Sequence, residues 1–410
     1  MQLETILKRG SLLTGMTWSL RIGTIAGIGI FVHWTFSILI IAVLFLFLVG
    51  LDADLITAIG GVFFILALFA CVLLHELGHA LCARRYNIGT RDITMLPIGG
   101  LARLERMPTE PKHEFWIAVA GPAVNVAIAG AVFVLIALVH GAEAIVPEEG
   151  LLIDLLDGLP LVNLMWMNVV LVVFNMIPAF PMDGGRVLRA ALAARLPYHH
   201  ATRIAATIGQ GIAILFGLLG LLAFQPILLL IAIFVFLGAQ AEAQYAETQF
   251  ALKGLKVRDA MLTRFQRLSE DETLGDAVDQ LLAGSQQDFP VVRGDDVVGL
   301  LTRHNLLQAL SDHDRNAPVA KAMSREFQSV NEDDPLETLP EKLRMGESTT
   351  MPVMDNHRLT GLLTRENLAE LIMIHSALSE GGNAPRVREI LHRGREHTAS
   401  DDLHGPFAGR

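Results

Sequence analysis

The sequence predicts an α-helical membrane protein: six transmembrane helices with a small membrane-associated β-hairpin, followed by a soluble C-terminal α/β part. Three observations carry that fold class. The 410 residues are 52% hydrophobic and only 18% charged, where an ordinary soluble domain carries about 25% charged residues. The charge is unevenly spread, because 19 of the 32 Lys and Arg and 26 of the 42 Asp and Glu lie from Leu252 onward. Every long apolar run precedes residue 250, and the stretch after it contains an internal repeat. Two cysteines exclude a disulfide scaffold and a four-cysteine zinc module. A net charge of −10 excludes the basic face of a nucleic-acid binder. The first apolar run has no small-residue cleavage pattern after it, so no removable signal peptide is expected.

A bilayer-crossing helix needs ~20 mostly apolar residues. Such runs fall at about 24–49, 56–82, 114–139, 161–181, 203–223 and 226–245. The last two, joined at Gln225-Pro226, read either as two spans or as one broken hairpin. With six spans, all thirteen Lys and Arg before residue 251 share one side. The opposite loops carry Asp52, Asp54, Glu143, Glu148, Glu149, Asp154 and Asp157 and no Lys or Arg. The positive-inside rule makes the basic side cytoplasmic. The expectation is a multi-pass cell-membrane protein with both termini in the cytoplasm. Its parts are a membrane domain over 1–250, two soluble units over 251–314 and 315–377, and a flexible tail over 378–410, rich in Gly, Arg, His and Asp.

Ionisable residues inside a span point to function. The second span contains His75-Glu76-Leu77-Gly78-His79, the H-E-x-x-H pattern. Two His one helical turn apart share a face and can hold one Zn²⁺, and the Glu between them is placed to accept a proton from water. Cys71 and Cys82 do not complete a cage. They are eleven residues and about 16 Å apart along one helix, far beyond ~2.3 Å Zn–S bonds, and read as packing residues. The missing ligand is sought at the end of the fourth span, Asn175-Met-Ile-Pro178-Ala-Phe-Pro181-Met-Asp183-Gly184-Gly185. Two prolines break the helix there, which is tolerated at membrane depth where the backbone is buried or lines a wet cavity. Asp183 reads as a third ligand turned inward, or alternatively as the cap of a helix starting near Gly184.

At these residues the chain resembles the site-2 protease family of intramembrane zinc metalloproteases. The resemblance covers roughly residues 20–245 and rests on HELGH, the Asn-x-x-Pro-x-x-Pro-x-Asp-Gly segment and the six-span arrangement. It implies one Zn²⁺ per chain on His75, His79 and Asp183, with Glu76 as general base. It also implies hydrolysis of peptide bonds within or near transmembrane segments of membrane-tethered proteins, in a prokaryotic inner or plasma membrane. Gly121-Pro-Ala-Val-Asn125 resembles a further family feature. Asn125 reads equally as an interhelical hydrogen bonder or as a group at the substrate, and Asn175 equally as a bystander or as a polariser of the scissile carbonyl. Arg84 lies about 8–14 Å along the helix from the His pair, so water has a short route from the cytoplasmic side.

Between spans two and three, Ile93-Thr-Met-Leu-Pro97-Ile-Gly99-Gly100-Leu-Ala-Arg-Leu reads as two short strands about a Pro/Gly turn. Similar proteases dip a Pro-x-Gly-Gly hairpin toward the active site, where a strand edge can hold an unwound substrate by β-augmentation. The alternative is a surface hairpin that only packs. His33, in the first expected span, reads as a polar residue of the bundle interior or one near the site, and His199-His200 as exposed interface residues; none is needed as a ligand. No room is left between spans for a PDZ-like insert.

Sliding residues 257–310 by 62 positions superposes them on 319–372, matching Val257-Arg-Asp-Ala-Met261 to Val319-Ala-Lys-Ala-Met323 and Gly299-Leu-Leu-Thr302 to Gly361-Leu-Leu-Thr364. Such a repeat means two copies of a small α/β unit, packed together. Over about 252–377 these units resemble tandem CBS domains, regulatory modules that often bind an adenine nucleotide. The resemblance implies nucleotide contacts at Thr302, Asn305, Thr364 and Asn367. Many nucleotide-binding copies have Asp where Asn305 and Asn367 stand, and Asn presents an NH₂ donor as well as an acceptor. A purely structural or homodimerising pair is the alternative. A CBS-gated transporter or channel is the competing function. It predicts charges spread through several spans without H-E-x-x-H, and this sequence has the reverse.

Overall fold

In the computed structural model, residues 19–51, 54–108, 110–141, 160–312, 314–339, 349–356 and 358–380 are described. They fall into two compact units, 1–246 and 247–410. Most of the acidic loop residues expected opposite the basic side (Asp52, Glu143, Glu148, Glu149, Asp154, Asp157) lie outside the described residues, as does the tail from 381 onward.

The first unit begins with β1 (Ser19–Ile25) and β2 (Ile28–His33), followed by α1 (Thr35–Phe45), which continues as a π-type turn to Gly50. This corrects the first expected span. Residues 24–25 and 28–33 are strand, not helix, because Ala26 and Gly27 take positive φ of 51° and 84° and fold an Ile-rich run into a hairpin. A short apolar run does not distinguish a buried strand from a helix by periodicity. His33 accordingly closes β2 and exchanges a 2.8 Å hydrogen bond through Nδ1 with the Thr35 hydroxyl.

Then come α2 (Leu55–Arg85), β3 (Thr90–Leu96), β4 (Gly99–Leu104), α3 (Pro111–His140), α4 (Pro160–Asn175), α5 (Asp183–Ala193), α6 (Tyr198–Leu222) and α7 (Pro226–Leu252). Asp54 caps α2 by accepting from the Thr57 N–H at 3.1 Å. Arg84 and Arg85 in its last turn complement the helix dipole. Among the described residues, α2, α3, α6 and α7 are long and apolar enough to cross a membrane, whereas 35–50 and 161–175 are shorter apolar helices. The four strands form one sheet in sequence order. β2 and β3 pair in parallel, Gly29 to Val32 against Asp92 to Met95, and β3 pairs antiparallel with β4. Ile28, Ile93 and Met95 of this sheet pack on Leu77 and Ala80 of α2. The sheet thereby lies against the turn of α2 that carries the histidines.

The second unit holds two three-stranded sheets. One comprises β5 (Leu268–Ser269), β6 (Phe289–Arg293) and β7 (Asp296–Leu301), with α8 (Leu274–Ala283) and α9 (Arg303–Asp312). The other comprises β8 (Val330–Asn331), β9 (Thr350–Asp355) and β10 (Arg358–Thr364), closed by α10 (Arg365–Glu380). The last turn of α10 therefore continues beyond residue 378, where a tail is expected to begin. The lead-in segments are exchanged. Leu255 and Val257 of the first repeat pack with Val330, Met351 and Val353 of the second, and Val319 and Met323 of the second pack with Leu268, Phe289 and Leu301 of the first. Leu262 bridges to Leu362 and Leu300 to Ser324. Neither repeat completes a core alone, so the repeats form one cooperative body.

Candidate metal centre

Three metal-competent side chains converge inside the first unit, His75, His79 and Asp183. His75 Nε2 lies 3.1 Å and His79 Nε2 3.2 Å from Asp183 Oδ2, and the two Nε2 atoms are 3.0 Å apart. All three residues are buried. The helical repeat of α2 places His75 and His79 one turn apart on one face. Asp183 arrives from the break between α4 and α5. Gly184 and Gly185 let that loop close tightly, since a Cβ at Gly184 would sit 2.3 Å from the Ile177 carbonyl oxygen. Asp183 is the first residue of α5, and Met182 holds the cap position without a side-chain bond. The Asp183 carboxylate is directed at the histidines instead of capping.

His79 Nδ1 donates to the Ile117 carbonyl of α3 at 2.7 Å, which keeps the proton on Nδ1 and leaves the Nε2 lone pair facing the cluster. Two imidazole lone pairs and a carboxylate oxygen at this spacing repel one another unless a cation or a proton sits among them. Bonds of ~2.0–2.1 Å at tetrahedral angles hold ligand atoms about 3.3 Å apart, close to the observed separations. The donor set, two nitrogens and one oxygen, suits Zn²⁺ and leaves a fourth position. The residues present therefore fit a zinc ion. Cys71 and Cys82 are free thiols and take no part among the described metal-competent groups.

Glycine makes the room. A Cβ at Gly121 would fall 2.2 Å from His79 Nε2 and 2.7 Å from His75 Nε2, so α3 can pass the donors only where it has no side chain. Glu76 is half-buried and points to the sheet side, where a Cβ at Gly100 of β4 would meet its Cγ at 2.5 Å. Asn125, one turn along α3 from Gly121, is fully buried with both amide atoms unpartnered. Asn175 is half-buried and donates to the Leu171 carbonyl of its own helix at 3.0 Å. The His199 and His200 rings lie tilted against each other, centroids 4.1 Å apart, in the first turn of α6.

In the second unit, Thr302 and Thr364 cap α9 and α10. Their hydroxyls accept from the Asn305 and Asn367 N–H groups at 3.1 and 3.2 Å, and the Thr364 hydroxyl donates to Asn367 Oδ1. Asp288, which the repeat pattern did not mark, is buried between the repeats. Its oxygens accept from the Arg303 N–H at 3.0 Å and from the Thr349 hydroxyl at 3.1 Å. The sequence reading also passed over Glu114, Arg189 and Glu242, which lie on three helices far apart in the chain and meet only on folding. The only advance signal for them was that charges are rare in this half.

Comparison with known proteins matches both parts of the chain to families. The model of peptidase family M50 matches residues 63–159 and 158–217, and that of the CBS domain matches 257–312 and 319–374. A zinc metalloprotease of Methanocaldococcus jannaschii is 31% identical over 360 residues, covering 88% of this chain and 97% of that protein. Stage IV sporulation protein FB of Bacillus subtilis is 26% identical over 187 residues, 45% of this chain and 60% of that protein. Among solved structures, the site-2 protease from Methanocaldococcus jannaschii is 35% identical, covering 55% of this chain and 95% of that chain with a TM-score of 0.41. With 31% identity over 88% of its length to a zinc metalloprotease and paired C-terminal CBS matches, the chain belongs to peptidase family M50, the zinc metalloproteases of site-2 protease type, and carries a tandem CBS pair.

Proposed function

We propose that the protein cleaves membrane-tethered proteins within or near their transmembrane segments, using His75, His79 and Asp183 to hold zinc and Glu76 as general base. The observation that carries this reading is the convergence of three buried ligand atoms within 3.2 Å beside a half-buried carboxylate. Bound zinc would supply Lewis acidity and lower the pKa of a water to about 7. Glu76 takes the proton of the attacking water and returns it to the leaving amine. The β4 strand, against which Glu76 rests at Gly100, offers backbone groups to an unwound substrate by β-augmentation. Asn125 and Asn175 are candidates for contact with the substrate carbonyl, and the unpartnered amide of Asn125 favours it of the two.

The six-span topology, with α1 and α4 as the fifth and sixth crossings beside the four long helices, is part of this reading. So is the placement of the basic ends and the CBS pair in the cytoplasm. There the pair controls access to the site by binding an adenine nucleotide with different affinity in two arrangements, or by pairing two copies of the chain. The Thr302 and Thr364 hydroxyls, at the N-termini of α9 and α10, support a ligand role, as helix N-termini favour phosphate.

Metal analysis and cleavage of a candidate single-span substrate by the full chain in detergent test the reading. Glu76→Gln is expected to keep zinc and lose about 10²–10⁴-fold in cleavage, and Asp183→Asn to lose zinc. A Glu76→Gln enzyme cutting at the wild-type rate overturns it. Calorimetry with AMP and ATP tests the regulatory part: no binding and unchanged proteolysis remove it.

A further inference from the structure

Among the described residues, the most deeply buried charge in the first unit stands outside the metal cluster. Arg189, on α5, is 2% exposed and lies between two carboxylates. Its Nε and Nη2 donate to Glu114 Oε1 of α3 at 2.7 and 2.5 Å. Its Nη1 donates to Glu242 Oε1 of α7 at 2.5 Å. The guanidinium carbon sits 4.9 Å from the centre of the Phe180 ring and 5.0 Å from that of Tyr198. The charge is thus paired, hydrogen-bonded and enclosed by aromatic faces, as a buried cation requires.

Arg189, Phe180 and Glu114 each lie within two helical turns of a part of the metal cluster along their own segments. Arg189 is six residues after Asp183 on the same helix, about 9 Å along the axis. Phe180 precedes Asp183 by three residues and is buried among Ala205, Ala206 and Ala239. Glu114 is one turn before Ile117, whose carbonyl holds His79 Nδ1, and two turns before Gly121, which lies against both Nε2 atoms. The Arg189–Glu114 pair therefore ties the helix that brings Asp183 to the helix that orients His79. Arginine suits this task because its planar fork holds two carboxylates in fixed directions.

We propose that Arg189 is a positioning residue for the metal centre, fixing Asp183 against His75 and His79 through Glu114 and Glu242. The inference rests on the reading of those three residues as zinc ligands. A role in folding alone predicts lower stability with unchanged metal affinity in whatever remains folded. A positioning role predicts weaker zinc binding even where stability is restored.

The test is the zinc affinity of the purified full chain in detergent, measured by competition with a chromophoric chelator well below each variant's melting temperature. Replacing the triad by Glu114→Leu, Arg189→Met and Glu242→Leu together removes all three charges, and an exchange of a buried ion triad for apolar side chains of similar volume is often neutral or stabilising. That variant is expected to melt near wild type and bind zinc about 10–100-fold more weakly, the range for partners that orient metal ligands. Arg189→Lys keeps the charge without the fork, is expected to lie between, and decides the matter if the triple variant does not fold. Wild-type zinc affinity in the deciding variant overturns the proposal. Asp183→Asn is the control: if it binds zinc like wild type, the ligand reading has failed, whereas weakened binding there beside wild-type binding in the triad variant sinks only the positioning role.

Discussion

In the first unit the largest fully buried side chain is Arg189, whereas in the second the fully buried places are taken by Phe289, Leu268, Leu274, Leu300, Leu301 and Leu306. Of the twelve buried polar or charged side chains among the described residues, ten belong to the first unit and only Asp288 and Thr350 to the second. The outer surfaces are reversed as well. Long helices of the first unit expose Ile214, Leu218, Leu222, Ile227 and Leu230, while the second exposes ion pairs such as Lys256–Asp333 and Arg293–Glu270. Water drives the second unit together by excluding apolar surface. Lipid supplies no such drive between helices, so the first unit relies on close packing, hydrogen bonds and paired charge. Its polar interior is then available for chemistry.

The strongest way to break that contrast is to fill the polar interior with a methyl-bearing side chain. Gly121→Val places carbon where the histidine nitrogens lie. It is expected to weaken zinc binding by at least about tenfold, as displaced ligands do, and to abolish cleavage. Metal content of the folded protein checks it; wild-type zinc would mean that α3 does not press on the donors.

Paired truncations sharpen the contrast next. Leu301→Ala removes a fully buried side chain of the first repeat and is expected to cost about 2–5 kcal/mol. Because the lead-ins are exchanged, it should raise hydrogen exchange in both repeats while zinc content holds. Leu218→Ala, on an exposed face of α6, is expected to stay within about 0.5 kcal/mol, since the side chain leaves lipid for lipid. Equal effects at the two positions would contradict opposite solvents for the two units.

The smallest expected effect is a pH dependence confined to the second unit. Hydrogen bonding to Arg293 holds the Glu270 carboxyl below the usual glutamate range. A carboxyl lowered on folding contributes stability above its unfolded value, near 4.5, and loses it as the pH falls toward its folded value. Glu270→Gln should therefore flatten the acid side of the unit's stability profile slightly, measured by denaturant unfolding between about pH 5 and 3. An unchanged profile removes the pair from the stability of this unit.

Much of the site was legible in sequence because its signals are local. H-E-x-x-H is set by the turn of one helix, and Pro178, Pro181, Gly184 and Gly185 announce a broken backbone beside Asp183. The repeat was legible for the same reason, as two copies of one pattern lie 62 positions apart. Residues 24–33 misled because an apolar, β-branched run satisfies both helix and strand, and pairing with residues 92–95 decided the matter. Glu114, Arg189, Glu242 and Asp288 carried no motif, since each draws its meaning from a partner distant in sequence.

The amino-acid order by itself determined which stretches are apolar enough to enter a bilayer, which helix carries the paired histidines, and that the C-terminal part is a duplicated α/β unit. Those properties follow from composition and from repeats of a few residues. Only the tertiary structure decided that Asp183 meets both histidines, that Gly121 and Gly100 leave space for the ligands and for Glu76, that each repeat lends its lead-in to the other, and that one arginine joins three helices. These depend on distances between segments a hundred residues apart, set by close packing that no local pattern encodes.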